Sequence, residues 1–161
     1  MVTVREASAL DVPFLEEMLH EAFFWSGEAG RPPLVEVRRR PEFSDLLAGW
    51  GRPGDTALIA EDAGLASGAV WCRLWTAAAH SYGFVDHETP ELGIGVAQRA
   101  RGQGIGRLLL RSMIALARQR SWPALSLSVA PANPARRLYE SEGFRKVAEA
   151  GTSWTMLLPL P

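Results

Sequence analysis

Apolar residues recur along this chain with two different periods, and the alternation of those periods sets out its elements. Ile105, Leu108, Leu109, Met113, Leu116 and Ala117 share one helical face, which predicts a long amphipathic helix over residues 104–120. Arg118 and Arg120 suit the negative C-terminal end of that helix. Phe14, Leu15, Met18, Leu19, Ala22 and Phe23 form an earlier helical stripe, with Asp11 as its cap and Pro13 in its first turn. Residues 34–50 carry a weaker helical pattern that Pro41 interrupts. Residues 2–6 alternate as a short strand, and residues 56–61 and 66–75 read as a hairpin turning at Asp62-Ala63-Gly64. Further strands are expected at residues 92–96 and 124–129, and a last hairpin at residues 145–148 and 152–158. Between them, Asn133 as cap and Pro134 at the first helical position start a short helix that Gly143 ends. Residues 27–33 and 76–90 read as loops.

Hairpins at both ends with a strand–helix–strand unit between them indicate an α/β fold (mixed α+β). A length of 161 residues suits one domain, residues 1–161, with no repeat or linker to divide it. With 47% apolar and 22% charged residues, the composition is that of a soluble globular protein. Cys72 is the only cysteine, so no internal disulfide can form and a reducing compartment fits. The three histidines are scattered without metal-ligand spacing, and no metal is expected. The N-terminal residues carry no apolar signal core and no stretch reaches membrane-spanning length, so a cytoplasmic location away from membranes is expected.

Charge changes the picture in the middle of the chain. Residues 92–139 hold no acid and eight arginines, Arg99, Arg101, Arg107, Arg111, Arg118, Arg120, Arg136 and Arg137. That segment carries +8 and the remainder −9, which the net charge of −1 conceals. Within it, Arg101-Gly102-Gln103-Gly104-Ile105-Gly106 lies between the strand at 92–96 and the long helix. A glycine-rich turn at a helix start presents unbonded N–H groups, and the helix dipole adds positive potential. First turns favour acids, yet this one holds Arg107, which is unfavourable without an anion nearby. Together these features point to a phosphate-binding turn, whereas Arg111 and Arg118 read as a solvated face.

Two stretches resemble the GNAT superfamily of N-acetyltransferases. One runs from Glu91-Leu92-Gly93-Ile94-Gly95-Val96 through Arg101-Gly102-Gln103-Gly104-Ile105-Gly106 and its helix; the other is Asn133-Pro134-Ala135-Arg136-Arg137-Leu138-Tyr139-Glu140-Ser141-Glu142-Gly143-Phe144. The (Arg or Gln)-x-x-Gly-x-(Gly or Ala) signature is loose alone and becomes specific with the preceding strand and the later Asn…Tyr-x-x-x-Gly-Phe. Gln98 departs from the proline many members carry there. The resemblance implies a central twisted mixed sheet of six to seven strands, flanked by about four helices, whose fourth and fifth strands splay apart to admit acetyl-CoA. The pyrophosphate would sit on the backbone N–H groups of Arg101, Gly102, Gln103, Gly104, Ile105 and Gly106. The pantetheine would pair with the backbone of Ile94 and Val96 as an added strand does. The Asn133 side chain would bond the CoA arm, beside its role as a cap, and Arg136 or Arg137 is a candidate for the 3′-phosphate against a solvated face.

Acetyl transfer to an amine needs a group to take the amine's proton, because an amine of pKa ~10 is mostly charged at neutral pH. The resemblance implies Glu91 as that base, directly or through water, against the alternative of an exposed strand-end carboxylate. Asp86, His87 and Glu88 are rivals just upstream. Tyr139 falls where the family places a tyrosine near the CoA sulfur, to protonate the departing thiolate; the alternative is core packing. A backbone N–H near Val96 would stabilise the oxyanion. Cys72, within an apolar strand, is expected to be inert, leaving direct transfer in a ternary complex. Phe23, Phe24, Trp25, Trp71, Trp75 and Tyr82 are candidates for the acceptor side, with Trp71, Arg73 and Trp75 on one strand face. Glu28, Asp86 and Glu88 are candidate attractors of a cationic amine.

Other glycine-rich readings fit less well. A dinucleotide fingerprint needs glycine at 107, where Arg107 stands, and an acid about ~20 residues on. A P-loop lacks its Gly-Lys-Ser/Thr. The arginines are not interleaved with aromatics and the chain is slightly acidic, so no nucleic-acid partner is expected. The expectation is an acetyl-CoA-dependent N-acetyltransferase acting on a small-molecule or peptide primary amine, with a homodimer possible. A non-catalytic acetyl-CoA-binding sensor of the same fold is the alternative.

Overall fold

A computed structural model describes residues 1–27 and 29–161. In chain order the elements are β1 (Val2–Glu6), α1 (Val12–Phe23), α2 (Leu34–Val37), α3 (Pro41–Ser44), β2 (Thr56–Asp62), β3 (Leu65–Arg73), β4 (Glu91–Val96), α4 (Ile105–Gln119), β5 (Ala124–Val129), α5 (Ala135–Ser141), β6 (Arg145–Ala150) and β7 (Ser153–Pro159). The strands form a seven-stranded sheet in the order β1-β2-β3-β4-β5-β7-β6. All neighbours are antiparallel except β4 and β5, the two strands joined by the α4 crossover. That parallel pair touches at a single position, Glu91 opposite Ser126, so the sheet opens beyond it. None of the described helices is long and apolar enough to cross a membrane, and the described residues contain no cluster that could hold a metal ion.

Strand alternation divides the core into two clusters, one on each face of the sheet. Leu58, Val70, Cys72, Leu92, Leu125 and Leu127 face α4 with Tyr139 and Phe144. Ala57, Ile59, Ala69 and Trp71 face α1 and the short helices, where Leu15, Met18, Leu19 and Phe43 meet them. Two glycines of β4 make the second contact possible. A Cβ on Gly93 would lie 2.7 Å from the Trp71 ring, and one on Gly95 would lie 2.2 Å from the Met18 carbonyl oxygen.

Several local expectations are corrected. The buried stripe of α4 is Ile105, Leu109, Leu110, Met113, Ile114 and Ala117. Leu108 is exposed, because helix and sheet meet along the i, i+4 ridge through Ile105, Leu109 and Met113. Asp11 precedes α1 but does not cap it with its side chain. Instead it closes a capping box with Ser8 around the turn Ala9–Asp11 and takes two bonds from Arg5, at 2.8 and 2.9 Å. Those bonds hold its carboxyl down at about 2. Pro41 opens α3 as well as ending the preceding segment, since a first helical position needs no N–H. Strand β2 runs on through Asp62, so the hairpin turn is Ala63-Gly64, both at positive φ (52° and 77°) as a two-residue turn requires. Strand β3 stops at Arg73, two residues short of Trp75.

Candidate functional site

Ala97 donates its N–H to the Ser67 carbonyl on β3 at 2.8 Å. Successive residues of a strand turn their backbone groups to opposite neighbours, so those of Ile94 and Val96 turn towards β5. There the ladder has already ended at Glu91 and Ser126, leaving a strand edge of unpaired groups inside the molecule. Among the described residues, the one side chain that bonds it is Arg101, whose Nε lies 3.4 Å from the Val96 carbonyl.

The turn after β4 leads into the helix with its donors unspent. Gly102 and Gly104 sit at φ of 76° and 82°, left-handed conformations that reverse the chain, and a Cβ on either would meet open space. Among the described residues, the N–H groups of Gly102, Gln103, Gly104, Ile105, Gly106 and Arg107 have no hydrogen-bond acceptor; the first bond of the turn is Leu108 N–H to the Gly104 carbonyl at 3.1 Å. Six unspent donors at the positive end of a 15-residue helix can take an anion such as a diphosphate. The Arg101 side chain points away from it, to Glu21 on α1 at 2.7 Å. Arg107 corrects the charge reading: its positive charge is met by Glu142 at 2.9 Å, an acid that also holds Arg111 at 2.8 Å. Arg136 pairs with Glu140 and stacks over Trp154, whereas Arg137 has no hydrogen bond or ion pair among the described residues.

At the other end of the gap, a cavity of about 340 Å³ is bounded by Leu92, Gly93, Ser128, Val129, Ala130 and Asn133 on the strand side. The structure brings Glu91 and Asn133 together in its wall. Glu91 Oε1 is buried without a hydrogen-bond partner. Burial raises its carboxyl to about 7, against the opposing pull of Ser81, the Gly83 N–H and the His80 charge. Gly83 creates that burial: the loop passes so close that a Cβ there would lie 2.8 Å from Glu91 Cδ. Asn133 accepts the Ala135 N–H on Oδ1 at 3.0 Å, as a capping residue does, and its amide N–H groups donate to no described residue.

Tyr139 is not brought to this wall. It is 8% exposed and packs edge-on against Phe144 with ring centroids 6.0 Å apart. Burial pushes its hydroxyl up to about 12, which keeps it protonated. The rivals to Glu91 lie outside the cavity lining: Asp86 Oδ1 accepts the N–H groups of Glu88 and Thr89, and His87 and Glu88 are exposed. Cys72 is fully buried and its thiol is driven well above its ordinary range, which leaves no thiolate to react. Glu28 lies outside the described residues.

Of the aromatic candidates, Phe23, Trp25, Trp71, Trp75 and Tyr82 line the cavity and Phe24 does not. Arg73 lines it too, but its guanidinium is bound to Asp55 by two bonds of 2.9 Å. Sequence reasoning had no means of finding that pair, since nothing in a spacing of 18 residues marks a contact. It also passed over Ser126, fully buried with an unpartnered Oγ and opposite Glu91 in the ladder. The alternation of Leu125, Ser126, Leu127 and Ser128 was the available signal, because it puts both serines on the face away from α4.

The acetyltransferase (GNAT) family profile matches residues 13–144, and the chain belongs to that family. Its class is that of an acyltransferase. Solved structures with the same fold include a ribosomal-protein-alanine N-acetyltransferase from Brucella melitensis, 24% identical, covering 98% of this chain and 99% of that one with a TM-score of 0.68. A PaiA N-acetyltransferase from Thermoplasma acidophilum, solved with coenzyme A, is 16% identical over 99% of both chains with a TM-score of 0.72. A phosphinothricin acetyltransferase from Sinorhizobium meliloti, solved with acetyl-CoA, is 22% identical over 99% of this chain and 88% of that one, at 0.67. No curated protein sequence matches the chain significantly.

Proposed function

We propose that this chain transfers the acetyl group of acetyl-CoA to a primary amine by direct attack in a ternary complex. The observation that carries the reading is the row of six unbonded N–H groups from Gly102 to Arg107, which follows β4, the strand whose free edge begins at Glu91. The donors hold the diphosphate of the co-substrate. The unpaired backbone of Ile94 and Val96 holds its arm as an added strand, with the Asn133 amide on the opposite side. The thioester supplies the activated acyl carbon.

The chain's own residues supply the proton transfers. Glu91, raised to about 7, is poised to accept a proton from the amine near neutral pH. Its unpartnered Oε1 is free to do so directly or through one water. A Val96-side N–H stabilises charge on the carbonyl oxygen. Tyr139, kept protonated by burial, is the donor we assign to the departing sulfur, a role that requires its ring to turn from its packing on Phe144 towards the gap.

A titration of acetyl-CoA by calorimetry, paired with a thiol-release assay over a panel of amines, tests this. Gly104→Val puts a β-branched residue at φ 82° and should weaken acetyl-CoA binding at least about tenfold. Glu91→Gln should keep binding and lose kcat by about 100-fold or more, and Tyr139→Phe should also slow turnover with binding intact. Binding with no thiol release for any amine would leave a sensor of acetyl-CoA instead. Unchanged turnover in both variants would remove their assigned roles.

A further inference from the structure

The cavity's outer wall is mainly aromatic. Five aromatic rings, Phe23, Trp25, Trp71, Trp75 and Tyr82, line the same cavity as Glu91, one of whose carboxylate oxygens is unpartnered. Tyr82 is 64% and Phe23 38% exposed, so rings at the rim are left in water where an apolar ligand would cover them. The cavity adjoins a second one of about 740 Å³, with Phe23, Leu46, Trp75, Ser81 and Tyr82 common to both walls, so there is room for a body larger than the reacting amine.

The charges in these walls are already committed in a way that discriminates between amines. Among the described residues, Arg73 is the one cation lining the inner cavity. Its side chain is 2% exposed, it is bound twice by Asp55 and once by the Leu46 carbonyl at 3.2 Å, and it stacks on Trp50 and Trp75. Three of its five N–H donors are taken and its charge is neutralised by Asp55, so a carboxylate on the acceptor would be buried beside Glu91 without a free counter-charge. Where the cavities join, Arg52 lies over the Trp75 ring at 4.8 Å, a positive charge in the path of any second ammonium. Farther out, Glu42 and Asp45 in the second wall, where Glu149 is already paired with Lys146, draw cations towards that entrance.

Resting on the transferase reading above, we propose that the acceptor is a primary monoamine on an aromatic or apolar body without a carboxylate, an arylalkylamine in chemical class. Its amino group reaches Glu91 and its ring lies among Trp71, Trp75 and Tyr82. The reaction balances: the ammonium gives one proton to Glu91, the neutral nitrogen bonds the acyl carbon, the carbon–sulfur bond breaks, and the second proton shed by nitrogen balances the one that sulfur takes up as it leaves as the thiol.

The test compares matched acceptors in the thiol-release assay: phenethylamine, phenylalanine (the same body with a carboxylate), spermidine, and a short peptide with N-terminal alanine. Phenethylamine should exceed phenylalanine by at least about 100-fold in kcat/KM and surpass the other two as well. Tyr82→Ala, at an exposed position that the fold does not need, should raise the KM for phenethylamine about three- to tenfold while the KM for acetyl-CoA stays constant. Phenylalanine, spermidine or the peptide turning over as well as phenethylamine would overturn the acceptor class while leaving the transferase standing. An unmoved KM in Tyr82→Ala would overturn the placement of the ring. Thiol release with no amine at all would bring down the transferase reading, and this one with it.

Discussion

Replacing Glu91 with Gln removes a carboxylate that the fold holds at about 7, against an ordinary value of 4.5, because Gly83 and the loop around it exclude water from its oxygens. That difference corresponds to roughly 3 kcal/mol of preference for the neutral acid in the folded state. The sign follows from linkage. Between the two values the folded chain binds more proton than the unfolded chain, so the group's contribution to stability is complete below about 4.5 and is lost as pH rises through about 7. Gln is neutral throughout and escapes that loss. The variant should therefore match the wild type near pH ~4.5 and exceed it by up to about 3 kcal/mol near pH ~8.5, or ~6–12 °C in melting temperature for a chain of this size. Activity should move the other way. Wild-type kcat should rise about tenfold per pH unit below an inflection near 7 and level off above it, and the variant should show no such inflection. Calorimetric unfolding and a kcat profile on the same preparations read both effects. A melting difference that does not change with pH would refute the burial argument, even if the variant were inactive.

Asp55→Ala leaves the buried Arg73 guanidinium without its counter-charge, and should destabilise the chain by about 3–5 kcal/mol in urea unfolding. A loss below about 1 kcal/mol would mean that the pair is solvated in a way its burial does not suggest. Gly95→Ala sets a methyl 2.2 Å from the Met18 carbonyl, a backbone atom that cannot swing aside, so α1 must lift from β4. It should cost about 1–3 kcal/mol or more and impair activity through the displaced cavity wall. Gly106→Ala is its control: the nearest atom is Leu138 Cδ2 at 3.6 Å, an ordinary contact, and stability should stay within about 1 kcal/mol.

The parts of the fold legible in the sequence were those fixed by neighbours along the chain. The period of α4, the glycine turn before it, the Asn133-Pro134 start and both hairpins are local statements, and the structure places them within a residue or two. The class of fold followed from their order. What stayed hidden depends on groups far apart in sequence. Leu108 and Leu110 are equally apolar, and only the crossing direction of α4 over the sheet exposes one and buries the other. Arg107 implied an anion, but the acid that satisfies it, Glu142, comes from α5. Arg73 interrupted an apolar face and does line the cavity, although its charge is spent on Asp55. Glu91 could be placed at a strand start, whereas its orphaned oxygen depends on a loop whose path no periodicity describes.

The arrangement of β4 explains why one strand can serve packing and chemistry together. Its odd-numbered residues, Glu91, Gly93 and Gly95, pair in register with Arg73, Trp71 and Ala69 on the face that meets α1. Two of the three are glycines, so Trp71 and α1 press directly onto the strand. The side chains of Leu92, Ile94 and Val96 meet the α4 side, while the backbone groups of Ile94 and Val96 turn to the open gap. The edge that would hold a co-substrate is therefore supported on both faces by core, which is how an unpaired strand edge stays rigid without a partner strand. Glu91 stands where the ladder ends and is the one side chain on that face that packing does not consume. A carboxylate at either of the other two positions on that face, Gly93 or Gly95, would displace Trp71 or α1.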